Sequence, residues 1–292
     1  MKILHLDSGR EMRGGQWQVI RLHAGLVAAG HQSMLLARPD APLFRLAQER
    51  QLPIEALTHF KLAFSARGFD LLHAHDARTH TMATLLGGGR PLVVARRVAF
   101  PVRSSAPSRW KYRHPRMFLA VSNHVADKLR ESRVLGNRIA VVYDGVPIPR
   151  QPAMGTRILV PQTADPRKGM ALAFEGAGLA GIQLSPTADL ESDLPNSAGL
   201  VYLSESEGLG SGILLAMAHG VPVIASNVGG IPEIIEDGVT GVLTRNDPTA
   251  VAEAFSRWNR QMGIAARQSV VERFTVEQMV RDTLAAYERV LA

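Results

Sequence analysis

One segment of the chain combines glycines and carboxylates in a pattern that could bind and polarise a ligand. It covers residues 204–212 (SESEGLGSG), between an apolar run typical of a strand and a pattern that predicts a helix over 213–219. Glycines let the backbone approach a ligand closely, and the N–H groups at a helix start favour phosphate. The alternative is an ordinary tight turn between a strand and a helix, because short glycine patterns recur by chance.

Two further turn-forming segments follow predicted strands. Residues 227–233 (NVGGIPE) come directly after the apolar run 221–225, and residues 237–241 (DGVTG) form a second turn. In open parallel sheets, ligands bind in the crevice beside the carboxyl ends of the strands. We therefore expect both loops to lie beside a ligand.

A group of histidines raises the question of a metal site. His73, His75 and Asp76 lie in the run HAHD, and His80 follows shortly after. Alternation along a strand sends His73 and His75 to the same face, which is a permissive geometry for a metal ion.

The stretch from Arg78 to Arg116 is strongly basic. It contains nine arginines or lysines and no acidic residue, with aromatic side chains between them. Its segment 109–114 (RWKYRH) mixes cations and aromatics as membrane-surface and phosphate-rich sites do. Nucleic acid is a second candidate ligand, although no nucleic-acid-binding motif accompanies the cluster. A solvated basic face is the third.

The charge of the chain differs between its halves. The 292 residues carry a net charge of +7 and are long enough for two domains. Residues 1–150 hold 23 basic and 10 acidic side chains, whereas residues 151–292 hold 10 and 16. This asymmetry predicts two units with different partners, the first of them anionic.

Composition excludes several classes of protein. There is no cysteine, which rules out disulfide frameworks, thiolate metal sites and cysteine nucleophiles and suits a reducing compartment. The first apolar run is too short for a signal peptide. Residues 208–232 carry no charge, but Pro222 and six glycines favour a buried core over a membrane span. We expect a cytoplasmic protein, with peripheral contact to the inner face of the cytoplasmic membrane left open.

Short apolar runs alternate with helical patterns along the whole chain. The predicted strands are 3–6, 33–37, 71–75, 92–95, 118–122, 139–142, 157–160, 199–203 and 221–225. The predicted helices are 18–29, 43–50, 213–219, 250–262 and 276–291. This alternation is typical of doubly wound parallel sheets. A proline-rich stretch at 146–152 predicts a linker at the point where the charge changes sign.

Several of these segments, taken in order, resemble the family 4 glycosyltransferases. In the C-terminal half the similar motifs are EGLG at 207–210, AMAHGVPVIA at 216–225, GGIPE at 229–233 and DGVTGVL at 237–243. In the N-terminal half they are DSG at 7–9, GGQ at 14–16, LHAHD at 72–76, AVS at 120–122 and VYDGV at 142–146. The resemblance implies a GT-B fold, with two Rossmann-like domains facing a central cleft, and a retaining transfer from a nucleotide sugar.

The resemblance also implies roles for individual residues. Lys168 matches the phosphate-binding lysine of the family, and Glu207 matches the first glutamate of its paired-glutamate motif; both are assigned as catalytic. The residues that the resemblance assigns to donor binding are Gly14, Gly15, His75, Arg97, Thr163, Gly208, Leu209, Gly210, Ser211 and Leu215. It explains the HAHD run as a strand end near the donor sugar, so we predict no metal ligand and no cofactor.

Three positions depart from the family pattern. Leu215 stands where the family has its second glutamate, Thr163 where it has a phosphate-binding arginine, and Arg97 where a histidine is frequent. Only 34 residues separate Gly169 from Ser204, which is shorter than in the family and predicts a reduced C-terminal domain.

These arguments predict an acceptor domain at 1–147, a donor domain at 148–275 and a helix at 276–292 that packs back toward the first. The acceptor or membrane surface is assigned to Arg10, Arg13, Arg103, Arg109, Trp110, Lys111 and Arg113. We predict transfer of a sugar to a glycan or lipid-linked acceptor in bacterial envelope polysaccharide or lipopolysaccharide synthesis, without nucleic acid as a partner. The alternative is a catalytically degenerate GT-B protein that binds a ligand or partner.

Overall fold

Strands and helices alternate through both halves of the chain in the computed structural model, which describes residues 1–102 and 105–292. The strands are β1 (Lys2–Leu6), β2 (Gln32–Ala37), β3 (Ile54–Ala56), β4 (Leu71–Ala74), β5 (Leu92–Arg96), β6 (Met117–Ala120), β7 (Ile139–Val141), β8 (Arg157–Pro161), β9 (Leu184–Thr187), β10 (Ser197–Tyr202), β11 (Val223–Ser226) and β12 (Val242–Thr244). The helices are α1 (Gly14–Ala28), α2 (Pro42–Glu49), α3 (His59–Ser65), α4 (Ala77–Leu86), α5 (Ala106–Arg113), α6 (Asn123–Glu131), α7 (Met170–Leu179), α8 (Leu190–Asp193), α9 (Ser211–Ala218), α10 (Pro248–Arg257), α11 (Arg260–Arg273) and α12 (Val276–Leu291).

The chain divides into two units. Unit 1 comprises Met1–Asp144 and Val276–Ala292, and unit 2 comprises Gly145–Thr275. Each unit contains one parallel sheet with helices between its strands. The predicted class, two doubly wound α/β domains of which the second is the smaller, is confirmed.

The seven strands of unit 1 have the order β3-β2-β1-β4-β5-β6-β7. The direction in which strands are added reverses between β1 and β4, which pair in parallel with His5 opposite His73. Ligands of open parallel sheets bind at such a reversal, called the switch point, because the loops after the two strands diverge there.

The last helix, α12, packs onto the core of unit 1. Its Met279 and Tyr287 are buried in one cluster with Leu22 and Leu26 of α1. A Cβ atom on Gly25 would lie 2.5 Å from Val280 Cγ2, so only glycine permits this approach of the two helices. The predicted helix at 276–291 has the bounds of α12.

The five strands of unit 2 have the order β12-β11-β10-β8-β9, with the switch point between β8 and β10. Their apolar side chains form one core with α7 and α10, in which Val160, Val201 and Ile224 are almost inaccessible to solvent. This sheet therefore brings the loop after β8 and the loop after β10 side by side.

The structure corrects one predicted helix. Residues 250–262 form parts of two helices, because α10 ends at Arg257 and Trp258 has an extended backbone. The side chain of Asn259 then accepts a hydrogen bond from the Met262 amide and caps α11. The first helix also begins four residues earlier than predicted, at Gly14, and the short strand β3 was not predicted.

Candidate active site

Lys168 and Glu207 meet at the switch point of the unit 2 sheet. Lys168 follows β8 and Glu207 follows β10, and Lys168 Nζ lies 2.6 Å from Glu207 Oε2. The lysine side chain is 39% exposed and the glutamate 16% exposed, so the pair lies at the surface of its unit with the carboxylate partly covered. Two residues that are 39 positions apart in the sequence thus form one charged centre.

The loop that carries Lys168 is fixed by hydrogen bonds and by one glycine. The carboxylate of Asp165 accepts from the Arg167 amide and guanidinium, and the Arg167 carbonyl accepts from the Glu205 amide at 2.8 Å. Gly169 has a φ of +59°, and a Cβ there would lie 2.6 Å from the Cβ of Leu203. The loops after β8 and β10 therefore hold each other through their backbones.

The loop that carries Glu207 is held from the other side. The Glu207 carbonyl accepts from the Gly230 amide at 3.2 Å, and Gly229, with a φ of +60°, passes so close that a Cβ would lie 1.9 Å from that carbonyl oxygen. Tyr202 Oη lies 3.5 Å from Glu207 Oε1. The predicted ligand loop 227–233 thus supports Glu207 directly.

Ser226 and Asn246 complete this support. The Ser204 amide donates to Ser226 Oγ, which donates to Asn246 Oδ1, and the Asn246 amide group donates to the Ser204 carbonyl. The closed ring of hydrogen bonds fixes the start of the 204–212 loop. Its polar groups were not predicted as part of the site, because they come from three separate strand ends.

Helix α9 begins directly after this loop. Gly210 precedes it with a φ of +102°, a backbone conformation that favours glycine. The Leu209 side chain is 2% exposed and packs inside the unit, so residues 208–210 can offer a ligand their backbone only. The N-terminus of α9 at Ser211 carries the positive end of the helix dipole.

Two residues assigned to donor binding take structural places instead. Leu215 is 4% exposed within α9, and its alkyl side chain cannot accept the hydrogen bonds of a sugar hydroxyl. Thr163 Oγ1 accepts from the Asp165 amide at 3.1 Å and shapes the loop before Lys168.

In unit 1, Arg97 and the start of α1 lie together. Arg97 forms an ion pair with Asp144, and a Cβ on Gly15 would lie 3.7 Å from the Arg97 side chain. Asp7 accepts hydrogen bonds from Gly9 and Gln16 in the same loop. Burial, with the nearby Asp76 carboxylate, raises the pKa of Asp7 to about 6. Asp7 and Asp144 were not predicted as site residues, since each is recognisable only through its partners.

His75 does not point away from the sheet as a donor ligand would require. Its Nε2 atom lies 2.9 Å from His5 Nδ1, and the residue is 8% exposed. His80 is separate from this contact, because its Nε2 atom faces the Lys111 carbonyl. The sequence grouping of His73, His75 and His80 is therefore replaced by His5, His73 and His75.

The basic residues around α5 are brought together only in part. A groove of about 770 Å³ is lined by Arg109 and Arg113 of α5 and by Arg133, Arg138 and Leu135 from the segment after α6. Lys111 differs from the prediction, since its Nζ donates to the Ala77 carbonyl at 2.6 Å. Trp110 is 45% exposed and packs against the ring of His114.

The other predicted acceptor residues do not extend this groove. Arg10 and Arg13 are exposed in the loop before α1, where Arg13 pairs with Glu11. Arg103 lies outside the described residues.

Two family profiles match the chain. One, described as Glycosyltransferase Family 4, matches residues 12–150, and the other, described as Glycosyl transferases group 1, matches residues 166–260. The chain belongs to the family 4 glycosyltransferases. Lys168 and Glu207 lie within the second match of this glycosyltransferase, and Arg97 lies within the first.

Curated relatives of the glycosyltransferase are similar over part of its length. It is 42% identical over 99 residues to N-acetyl-alpha-D-glucosaminyl L-malate synthase of Bacillus anthracis, a match that covers 32% of the chain and 26% of the relative. It is 33% identical over 165 residues to alpha-maltose-1-phosphate synthase of Mycolicibacterium smegmatis, covering 52% of the chain and 41% of the relative. The chain therefore spans less than half the length of these relatives.

Solved structures share the fold of the glycosyltransferase over its whole length. Alr3699/HepE of Anabaena, solved with UDP and glucose, superposes with a TM-score of 0.85 at 18% identity and covers 99% of both chains. The lipopolysaccharide outer core galactosyltransferase WaaB superposes with a TM-score of 0.70 at 14% identity and covers 99% of each chain. The compact length is thus shared by solved proteins of this fold.

The helices of residues 1–102 and 105–292 were also compared with the requirements of a membrane span. Each is too short or too polar to cross a bilayer.

Proposed function

We propose that the chain transfers a sugar from a nucleotide-sugar donor to a glycan or lipid-linked acceptor, with retention of configuration, in bacterial envelope polysaccharide or lipopolysaccharide synthesis. The contact between Lys168 and Glu207 at the switch point of unit 2 carries this proposal. The complexes of the Anabaena protein with UDP and with UDP-glucose support the donor class. The galactosyltransferase WaaB supports the envelope role.

The chemistry follows from where charge develops. When the bond between the anomeric carbon and the diphosphate oxygen breaks, negative charge builds up on the leaving diphosphate. The Lys168 ammonium and the amides at the start of α9 stabilise that charge. Glu207 keeps the ammonium in place and accepts hydrogen bonds from hydroxyls of the donor sugar.

The proton of the acceptor hydroxyl passes to an oxygen of the leaving phosphate as the new glycosidic bond forms on the same face of the sugar. No side chain then has to act as a nucleophile. Thr163 and Leu215 cannot make the contacts of an arginine and a glutamate, so Lys168, Glu207 and backbone amides carry the donor contacts of unit 2.

A panel of nucleotides and nucleotide sugars tests this proposal. Thermal shift identifies which of them bind the full chain, and assays of donor hydrolysis and transfer measure turnover. We expect one nucleotide to raise Tm and Lys168→Ala and Glu207→Ala each to lower kcat/KM by about 100-fold or more. Arg167→Ala is the matched control, since this exposed side chain pairs with Asp165, and it should retain activity.

The outcomes separate the proposal from its alternative. Binding without turnover of any donor would favour the degenerate binding protein. The absence of both binding and hydrolysis would refute the enzyme, and wild-type rates in both variants would refute the assigned site.

We assign the acceptor side to the basic groove beside α5. Arg109 and Arg113 supply charge there, and Phe100, Trp110 and Leu135 are large apolar side chains that are 45–63% exposed. Cations next to exposed apolar groups suit a phosphorylated amphiphile at an anionic membrane.

Sedimentation with vesicles tests this surface. The chain should bind vesicles that contain phosphatidylglycerol more strongly than vesicles of phosphatidylcholine alone. Replacing Arg109 and Arg113 with alanine should weaken binding about tenfold or more, at about 1 kcal/mol per basic residue. The control removes the exposed Arg245 and Arg260 of unit 2. Equal binding by the two double variants would refute the assignment.

A further inference from the structure

Three histidines of unit 1 form a cluster that the proposed transfer reaction does not use. His5 on β1 is the register partner of His73 on β4, and His75 lies two residues after His73 on the same face of the sheet. Their exposed fractions are 0%, 1% and 8%. One ring nitrogen from each residue can be chosen so that all three atoms lie within 4.8 Å of one another.

Half of the ring nitrogens in this cluster have hydrogen bonds. His5 Nδ1 lies 2.9 Å from His75 Nε2, and His73 Nδ1 lies 2.6 Å from the Tyr287 hydroxyl. The remaining atoms, His5 Nε2, His73 Nε2 and His75 Nδ1, are buried without a partner among the described residues. Buried polar atoms are nearly always satisfied, so three orphan nitrogens in one cluster call for a ligand.

The neighbouring His23 shows what a satisfied histidine looks like in this unit. Its ring centroid lies 5.8 Å from that of His5, yet its Nδ1 atom bonds Ser33 Oγ at 2.7 Å and its Nε2 atom faces the Pro53 carbonyl at 3.0 Å. His23 is buried in the same core without an orphan nitrogen. Burial of histidine alone therefore does not produce the pattern.

The cluster has the protonation state that a metal ion requires. Burial lowers the pKa of His5, His73 and His75 well below the usual value, so their rings are neutral and offer lone pairs. No carboxylate belongs to the group, and imidazole alone suits zinc-like ions better than magnesium or calcium.

We propose that His5, His73 and His75 bind a divalent first-row metal ion of the zinc class in the core of unit 1. A tetrahedral zinc site with Zn–N bonds of about 2.0–2.1 Å places its nitrogens roughly 3.4 Å apart. Small rotations of the rings bring the cluster to that spacing, and the metal replaces the hydrogen bond between His5 and His75. The Tyr287 hydroxyl fixes the ring of His73, as partners outside the ligand set do in known sites.

This site is separate from the donor chemistry assigned to Lys168 and Glu207. The ion would join β1 to β4 and, through Tyr287, to the C-terminal helix α12. The sequence pattern did not predict it, because His5 precedes His73 by 68 residues and only the strand register unites them.

Metal analysis of the full chain tests the proposal independently of any transferase activity. The chain is produced without a histidine tag, purified without a metal column and measured by inductively coupled plasma mass spectrometry. Chelator-treated protein is then titrated with Co²⁺ and with Zn²⁺. We expect about one metal ion per chain, the visible absorption bands of four-coordinate Co²⁺ and a rise in Tm with Zn²⁺.

Variants locate the site. His73→Gln should abolish the Co²⁺ bands, whereas His23→Gln, the matched control, should keep them. Tyr287→Phe retains all three ligands and should weaken metal affinity by about 10- to 100-fold. It also serves as the second test if His73→Gln does not fold.

Two results would overturn the proposal. One is folded wild-type protein that holds no metal as purified and binds neither Co²⁺ nor Zn²⁺ after chelation, which would leave water as the partner of the orphan nitrogens. The other is metal binding that His73→Gln leaves unchanged, which would place the ion elsewhere on the chain.

Discussion

At the switch point of unit 2, Lys168 and Glu207 are partly exposed and paired, whereas the switch point of unit 1 holds His5, His73 and His75, which are buried and neutral. A charged pair that keeps contact with solvent can exchange part of its hydrogen bonding for a ligand such as a diphosphate. Buried imidazoles leave room for an ion or a water molecule only. The same topological position thus serves a large ligand in one unit and a small one in the other.

The two clusters also differ in what holds them. Close backbone approaches at Gly169 and Gly229 fix the loops of Lys168 and Glu207. The histidines depend on the pairing of β1 with β4 and on the packing of α12. The first cluster is therefore sensitive to any added Cβ in its loops, and the second to changes in the core.

The largest expected effect follows from Gly229→Ala. The new Cβ would lie 1.9 Å from the Glu207 carbonyl, at a φ of +60°. Overpacking and the left-handed backbone together should lower the free energy of unfolding by about 3 kcal/mol and displace Glu207. Urea unfolding and kcat/KM measure the two consequences.

Gly178→Ala is the control for this change. Gly178 lies in α7, and a Cβ there meets nothing within 4 Å. Alanine should therefore raise stability by about 0.5–1 kcal/mol. Equal stability of Gly229→Ala and the wild type would show that the loop of Glu207 can move aside, and the contrast between the clusters would fail.

A buried histidine away from both switch points gives the next effect. Burial, followed by the charge of Lys111, lowers the pKa of His80 from 6.5 to about 3. As the pH falls below 6.5 the unfolded chain binds a proton that the folded chain excludes, so stability is full above that pH and declines toward pH 3. The cost at pH 5 should be about 1–2 kcal/mol.

Urea unfolding between pH 7.5 and pH 5 measures this cost. His80→Gln keeps a donor for the Lys111 carbonyl but cannot titrate, so it should flatten the pH dependence. His59→Gln, at an exposed position of α3, should leave the dependence unchanged. A slope in His80→Gln equal to that of the wild type would show that burial of neutral histidine does not set acid stability in unit 1.

Much of the fold was predictable because buried strands and amphipathic helices leave local patterns. The bounds of α12 and the alternation in both units follow from such patterns. The helix predicted at 250–262 was wrong for a local reason that the pattern of apolar residues ignores. Asn259 is a strong N-cap, and it starts a new helix within a stretch that remains amphipathic.

The candidate site was predictable where one loop carries it and not where distant segments meet. The motif around Glu207 and the resemblance at Lys168 identified the unit 2 pair. Arg97 was singled out, but its ion pair with Asp144 spans 47 residues and depends on the order of strands in the sheet. The contact of His5 with His75 likewise follows from strand order, which one sequence does not reveal.

The smallest expected effect concerns the stability that Lys168 and Glu207 contribute as an ion pair. A double-mutant cycle with Lys168→Met and Glu207→Gln should give a coupling in urea unfolding of about 0.5–1 kcal/mol, since the lysine is 39% exposed. The control pair Arg157–Asp193, exposed at both partners, should give no more than this. A coupling above about 2 kcal/mol would identify a structural ion pair. A weak coupling beside a large loss of kcat/KM would mean that the charges are held for a ligand, because what they contribute in its absence is small.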